Sequence, residues 1–352
     1  MRTSWTLVTG ASGFVGSRLV RRLVGLGVRV KAFVREGARL RQLMGLPSDR
    51  FQLAFGDIRV GASVYRALSN CDRLYHVASA FQWWDPRPER IIGPAVEGTR
   101  AVLEAADQRG LERIVVTSSV AALGNTAQPE PMDESHAFAL ADPEIYALSK
   151  RRALDVVLEM AAGGLPVVVV QPSAIAGPGD WKPTPVGQSI LRYLNAKYPL
   201  PAAPGGLSLA DVDDVVEGHI AAMSRGTPGQ SYILGGENIT LEELLTLLSE
   251  LTRLPGPRGQ LPLALLRWAG LWFETQARLT GSQPPITRRL AKSHLGRYAW
   301  VSSDKAATAL GYTTRPARET LRRSVQWFVS QGYVSDSVAA RLPRHLHALE
   351  VQ

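Results

Sequence analysis

The sequence predicts an α/β fold: a doubly wound parallel sheet covered by helices, joined to a smaller, mostly helical C-terminal part that carries the substrate. Three observations predict it. Short apolar runs alternate with amphipathic segments of helical period through the N-terminal half, as expected of strands buried on both faces. Residues 7–16, Leu-Val-Thr-Gly-Ala-Ser-Gly-Phe-Val-Gly, run an apolar strand into three glycines. The regularity lapses after Pro172, where Gly177, Pro178, Gly179, Pro183 and Pro185 make a loop of the kind that rims a site.

Taken in order, the strands are expected at 5–9, 28–34, 51–55, 73–77, 113–118 and 166–171, with helices between them, for example over 14–26 and 94–109. Regular structure returns at Leu209–Gly218 and in a short strand at Tyr232–Leu234. The chain thus divides into a dinucleotide-binding part, 1–180 with a return crossing around 209–235, and a substrate-binding part, 181–208 and 236–352.

The first strand and helix carry the clearest chemistry. Gly10, Gly13 and Gly16 are spaced G-x-x-G-x-x-G. The missing side chains permit a tight turn, an approach of pyrophosphate to the backbone, and close packing of helix on strand, as in a Rossmann-type site. The helix opening near Phe14 aims its first amides and partial positive charge at the phosphates. Gly10, Ser12, Gly13, Phe14, Val15 and Gly16 are the candidate contacts. At the end of the second strand, Arg35 can pair with a 2′-phosphate but cannot accept from a 2′-hydroxyl, which favours NADP(H) over NAD(H). Glu36, one residue on, keeps NAD open. Asp57 and Ile58, after the third strand, are placed to meet the adenine.

Tyr146 and Lys150 form Tyr-x-x-x-Lys, a spacing that puts phenol and ammonium on one helix face. A phenol starts near pKa ~10. Lys150 and an oxidised nicotinamide are expected to bring it toward neutrality, making Tyr146 an acid–base group. Ser119 closes the strand Arg-Ile-Val-Val-Thr-Ser, where its hydroxyl can orient a substrate oxygen against Tyr146. No histidine stands at a position that would make it a nucleophile.

Together, Thr9-Gly10-Ala11-Ser12-Gly13-Phe14-Val15-Gly16, His76-Val77-Ala78, Thr117-Ser118-Ser119, Tyr146-x-x-x-Lys150 and Pro172-Ser173 resemble the extended short-chain dehydrogenase/reductases. Trp84-x-Pro86, Lys182-Pro183-Thr184-Pro185, Val212-Asp213-Asp214-Val215 and Tyr232-Ile233-Leu234-Gly235-Gly236-Glu237-Asn238 are most similar to the hopanoid-associated sugar epimerases. Dihydroflavonol reductases and 3β-hydroxysteroid dehydrogenases are similar at the shared motifs. The resemblance implies that Ser119, Tyr146 and Lys150 are the catalytic triad and that Pro172 and Ser173 lie by the nicotinamide. It also implies that Ala78, Ser79 and Thr117 line the cofactor. One departure stands out: Ala95 precedes Val96-Glu97-Gly98-Thr99 where the family commonly has Asn, which removes a side-chain hydrogen bond from that position.

Composition narrows the class. With 352 residues, 45% of them hydrophobic, the chain can bury one large or two medium cores. It has no run of about 18 uncharged apolar residues and no room for a signal peptide before the first strand. One cysteine, Cys71, excludes an internal disulfide, and six scattered histidines suggest no metal site. A cytoplasmic enzyme fits. The net charge of +9 is spread along helices without a basic–aromatic array, so nucleic acid is not the expected partner. Contact with an anionic membrane surface stays open.

Phe81, Trp83, Trp84 and Trp181 suggest an apolar substrate pocket, with packing of their own loops as the alternative. The segment 261–273, Leu-Pro-Leu-Ala-Leu-Leu-Arg-Trp-Ala-Gly-Leu-Trp-Phe, is too apolar for a simple surface helix and too short to span a bilayer. It reads as a lid or homodimer helix, with an interfacial helix as the alternative. The expected activity is hydride transfer between NAD(P) and a secondary alcohol or ketone of a bulky, apolar substrate resembling an isoprenoid, sterol or polyphenol. The alternative is a nucleotide-sugar or hopanoid-linked sugar epimerase or dehydratase working through a transient ketone. A cofactor sensor without turnover is disfavoured by the intact triad.

Overall fold

The computed structural model describes residues 4–79, 85, 87–140, 143–196, 198–280 and 288–347. Its core is a seven-stranded, wholly parallel sheet. The strands are β1 (Trp5–Thr9), β2 (Val30–Val34), β3 (Phe51–Phe55), β4 (Cys71–His76), β5 (Arg113–Thr117) and β6 (Val167–Pro172), followed later by β9 (Ser231–Leu234). Their spatial order is β3-β2-β1-β4-β5-β6-β9. Apolar runs such as Val167–Val170 are fully buried because helices cover both faces, so the strands lack the polar alternation of a one-sided sheet.

On one face lie α1 (Phe14–Gly25) and, from the later chain, α6 (Val212–Arg225) and α10 (Asp304–Leu310). On the other lie α2 (Gly61–Ala67), α3 (Glu89–Gln108) and α4 (Ile145–Ala162). The strand order reverses between β1 and β4, the switch point where such sheets open a crevice beyond the strands' C-terminal ends. Thr9 and His76 are register partners at that end.

The remaining chain is mostly helical, as expected, and is built around a second, small sheet. Its centre is β8 (Gly206–Asp211), parallel to β7 (Ala174–Ala176) and β11 (Tyr298–Ala299) and antiparallel to β10 (Glu237–Thr240). Strands of two and three residues leave no readable period in a sequence. Against this sheet pack α5 (Pro185–Leu194), α7 (Leu241–Thr252) and α11 (Ala317–Ser330) in a separate core around Phe328 and Leu321. Helices α8 (Leu263–Thr280) and α9 (Arg288–Ser293) pack on each other.

The Val212-Asp213-Asp214-Val215 motif fastens these pieces together. Asp213 accepts from Arg18 of α1 at 2.9 Å and also meets Arg323 of α11. Arg323 reaches Asp211 at 2.6 Å, and Asp214 accepts from the backbone N–H of Arg315 at 2.7 Å. Asp211 is fully buried and is met by both Arg323 and, at 3.5 Å, Arg315, so its charge depends on this pair of cations.

Candidate active site

The glycine turn at the switch point separates what the fold demands from what a ligand would use. Gly10 has φ +68°, and a Cβ there would sit 2.7 Å from the Ala78 backbone; at Gly16 it would overlap the Gly10 carbonyl at 2.2 Å. Both positions require glycine for the chain itself. Gly13 is different: φ is −81°, it is exposed, and a Cβ would meet only Gly10 O at 3.1 Å. It is the N-cap of α1 and makes no side-chain cap, so the first-turn amides point outward without a protein acceptor among the described residues. A pyrophosphate fits that cradle.

Beside it runs a buried relay. The Ala78 N–H donates to Thr9 Oγ1 (3.2 Å), which lies 2.8 Å from His76 Nδ1. His76 Nε2 is 3.4 Å from Thr99 Oγ1, which donates to the Ala95 carbonyl (2.9 Å). Because Thr99 spends its proton on that carbonyl, His76 Nε2 carries the ring proton and Nδ1 accepts from Thr9. Burial, with Lys150 nearby, depresses His76 to about 3, so the ring is neutral.

Tyr146 and Lys150 arrive on α4, whose N-cap is Glu144. The Glu144 carboxylate accepts from the N–H of Tyr146 (2.8 Å) and of Ala147 (2.7 Å), and burial pushes it up to about 7. Tyr146 shares a hydrogen bond with Ser119, whose Oγ also accepts from Ala121 N at 3.1 Å. The structure therefore brings Ser119, Tyr146 and Lys150 together. Lys150 Nζ lies 5.8 Å from the Tyr146 ring centroid and 3.5 Å from Thr117 O, and burial lowers its ammonium to about 8.

The protein's own groups raise the Tyr146 phenol to about 12. Burial is the main cause, the Glu144 charge adds to it, and the Ser119 hydrogen bond opposes both. Behind the site, His219 Nδ1 must donate to Val215 O (2.7 Å), so Thr117 Oγ1 donates to His219 Nε2 (2.8 Å).

At the ends of β5 and β6, the buried Ser118 Oγ, Ser173 Oγ and both polar atoms of Gln171 have no partner among the described residues. Buried polar atoms ordinarily find partners, so this group faces a place for a polar ligand or water. Pro172 pairs with Leu234, and Ser173 N donates to Leu234 O (3.2 Å), fixing that wall.

Arg35 is exposed just beyond β2. Asp57, expected to meet the adenine, is held bidentate by Arg59, with contacts of 2.6 and 3.0 Å, and falls to about 2, chiefly through that hydrogen bond. Ile58 packs over Gly98. Ser79 is exposed beside Ala78.

Trp181, read as a pocket wall, packs edge-on to Trp327 at 5.0 Å under the Arg41 guanidinium, and its carbonyl accepts from Tyr333 at 2.7 Å. Those contacts seat one side of Trp181 on the second core. Phe81, Trp83 and Trp84 lie outside the described residues. Sequence reasoning passed over Glu144, Arg59, His219 and Gln171.

The family model of the NAD-dependent epimerase/dehydratase family matches residues 6–235. A Synechocystis sp. protein assigned by name to dihydroflavonol 4-reductase is 37% identical, covering 93% of this chain and 95% of that one. Sterol demethylase protein B of Methylococcus capsulatus is 31% identical over 94% of this chain and 99% of its own length. The crystal structure of gox2253 superposes with a TM-score of 0.83 at 38% identity, covering 94% of this chain and all of that one.

Proposed function

Because the chain belongs to the NAD-dependent epimerase/dehydratase family, the extended short-chain dehydrogenase/reductases, and is an enzyme of that kind, we propose that it reduces a ketone of a bulky, apolar substrate with NADPH. The observation that carries this reading is the cluster of Ser119, Tyr146 and Lys150, in which the phenol, hydrogen-bonded to Ser119 and with Lys150 Nζ 5.8 Å from its ring, can donate a proton to a ketone oxygen.

In this reading the bound nicotinamide supplies the hydride. Tyr146 protonates the oxygen that becomes the alcohol, and Ser119 donates to the same oxygen and holds it in place. Lys150, buried without a carboxylate partner among the described residues, holds the cofactor ribose and steadies the phenolate left after proton transfer. The glycine turn and the first amides of α1 hold the pyrophosphate, and Gln171, Ser118 and Ser173 offer unspent polar atoms to the nicotinamide side. Arg35 and Arg59 flank the expected position of the 2′-phosphate.

Two relatives named for a dihydroflavonol and for sterol demethylation support a large, apolar skeleton. The sugar-nucleotide epimerases among the similar structures stand at 24% identity or less and share the fold. The test is turnover of NADPH with a panel of ring ketones and deuterium transfer from labelled cofactor to product. Stoichiometric retained NAD, with inversion of a sugar carbon and no net redox change, would replace this reading with epimerisation.

A further inference from the structure

The segment best suited to something other than catalysis is α8. Leu265, Trp268, Leu271 and Trp272 are 57%, 72%, 43% and 71% exposed, yet their spacing gathers them within about a third of the helix circumference. The opposite side, with Ala277, is buried. Two large indole rings and two leucines on one solvent-facing stripe form a contiguous apolar patch, and such patches mark an interaction surface.

Charge says what covers it. From residue 253 to 297 the sequence holds eight Arg and Lys residues and one acid, Glu274, so this stretch carries most of the chain's +9. Glu274, Arg289 and Lys292 are each engaged with a partner, and Arg297 holds Asn125, so the stretch keeps a cationic excess. A second copy would bring like charge against like charge across the stripe, whereas an anionic lipid surface meets both the indoles and the cations.

We propose that α8 docks the protein on an anionic bilayer, its Trp268–Trp272 face lying in the headgroup region. The helix lies on the membrane and does not cross it, since no helix among the described residues is long and apolar enough to span. The α8–α9 pair is tied to the catalytic side of the molecule. Asn125, six residues beyond Ser119 and buried, donates to Ser293 O at the end of α9 (2.6 Å), and Arg297 holds the Asn125 side chain and carbonyl. Docking on α8 therefore places on the lipid a helix pair that is hydrogen-bonded, through α9, to the segment that follows Ser119. The inference stands whichever ketone is reduced.

The full chain would be co-sedimented with vesicles of phosphatidylcholine alone and of phosphatidylcholine with phosphatidylglycerol. We expect binding to the anionic vesicles, weakened by salt, and a loss of at least tenfold in the double variant Trp268→Ser/Trp272→Ser with its melting temperature unchanged. Trp268→Phe/Trp272→Phe should keep most of the binding. Brominated lipid should quench part of the wild-type tryptophan fluorescence, a readout that needs no variant. Equal binding to neutral vesicles, an unaffected double variant or absent quenching would overturn the proposal. So would a dimer in sedimentation velocity that the serine variant converts to monomer, since the face would then belong to a second copy.

Discussion

The Glu144 carboxylate and the Tyr146 phenol sit two residues apart at the head of α4, the first capping the helix through the N–H of the second at 2.8 Å. Burial raises Glu144 from 4.5 to about 7, so between those values the folded protein keeps a proton that the unfolded chain has released. Stability from this group is full below pH 4.5 and is lost as pH rises through 7. At about 1.4 kcal/mol for each pH unit, the loss is about 3 kcal/mol.

Glu144→Gln keeps an oxygen to cap the helix and removes the titration. Its melting temperature relative to wild type should therefore climb between pH 5 and pH 8, against a roughly constant cap cost of ~1 kcal/mol. Removing the charge should also move the Tyr146 ionisation downward, seen as an earlier rise in alcohol oxidation with pH. A constant melting difference across the range would show that Glu144 does not titrate there.

Tyr146→Phe keeps the ring and deletes the proton. Cofactor titration should return a dissociation constant within about twofold of wild type, while turnover of the ketone falls by about 10² or more. Near-normal turnover would assign the proton to another donor.

The glycine spacing and the Tyr-x-x-x-Lys pair were legible because each is local: a turn's steric needs and a helix's repeat are written within seven residues. The parallel sheet was legible for the same reason, strand by strand. What escaped depends on distance or on unusual usage. Thr117 and His219 meet across 102 positions. Glu144 is an N-cap of a type seldom used, since Ser, Thr, Asp and Asn lead there. The raised Tyr146 follows from burial, a property of the assembled fold, whereas the spacing alone displays only the nearby lysine. Trp181 shows the same limit: Trp327, more than a hundred residues on, packs against it, a contact that no local reading displays.

Cofactor choice should turn on Arg35. It is exposed at the end of β2, while Arg59 is occupied with Asp57. A charge-assisted contact to a phosphate contributes about 1.5–3 kcal/mol, so NADP(H) should bind roughly 10- to 100-fold more tightly than NAD(H). Arg35→Ala should erase most of that ratio and leave NAD(H) affinity nearly unchanged. Equal affinities in the wild type would remove the argument, and a ratio that survives Arg35→Ala would transfer the role to Arg59.

The two ends of the glycine turn should respond in opposite ways to the same added methyl group. Gly10→Ala forces a side chain into φ +68° and drives its Cβ to 2.7 Å from the Ala78 backbone, which cannot yield without moving β4's extension. Left-handed backbone alone costs roughly 1–2 kcal/mol for a non-glycine residue, and the clash adds to it. The melting temperature should fall by many degrees with or without cofactor. Gly13→Ala meets only one carbonyl oxygen at 3.1 Å from an ordinary φ of −81°, so the fold should keep its stability within about 1 kcal/mol. Its methyl would instead stand where a pyrophosphate oxygen approaches the helix amides, and cofactor affinity should drop at least tenfold. Thermal melts and cofactor titrations on the two variants separate the effects. Intact binding in Gly13→Ala would mean that the open amides of α1 do not hold the phosphates.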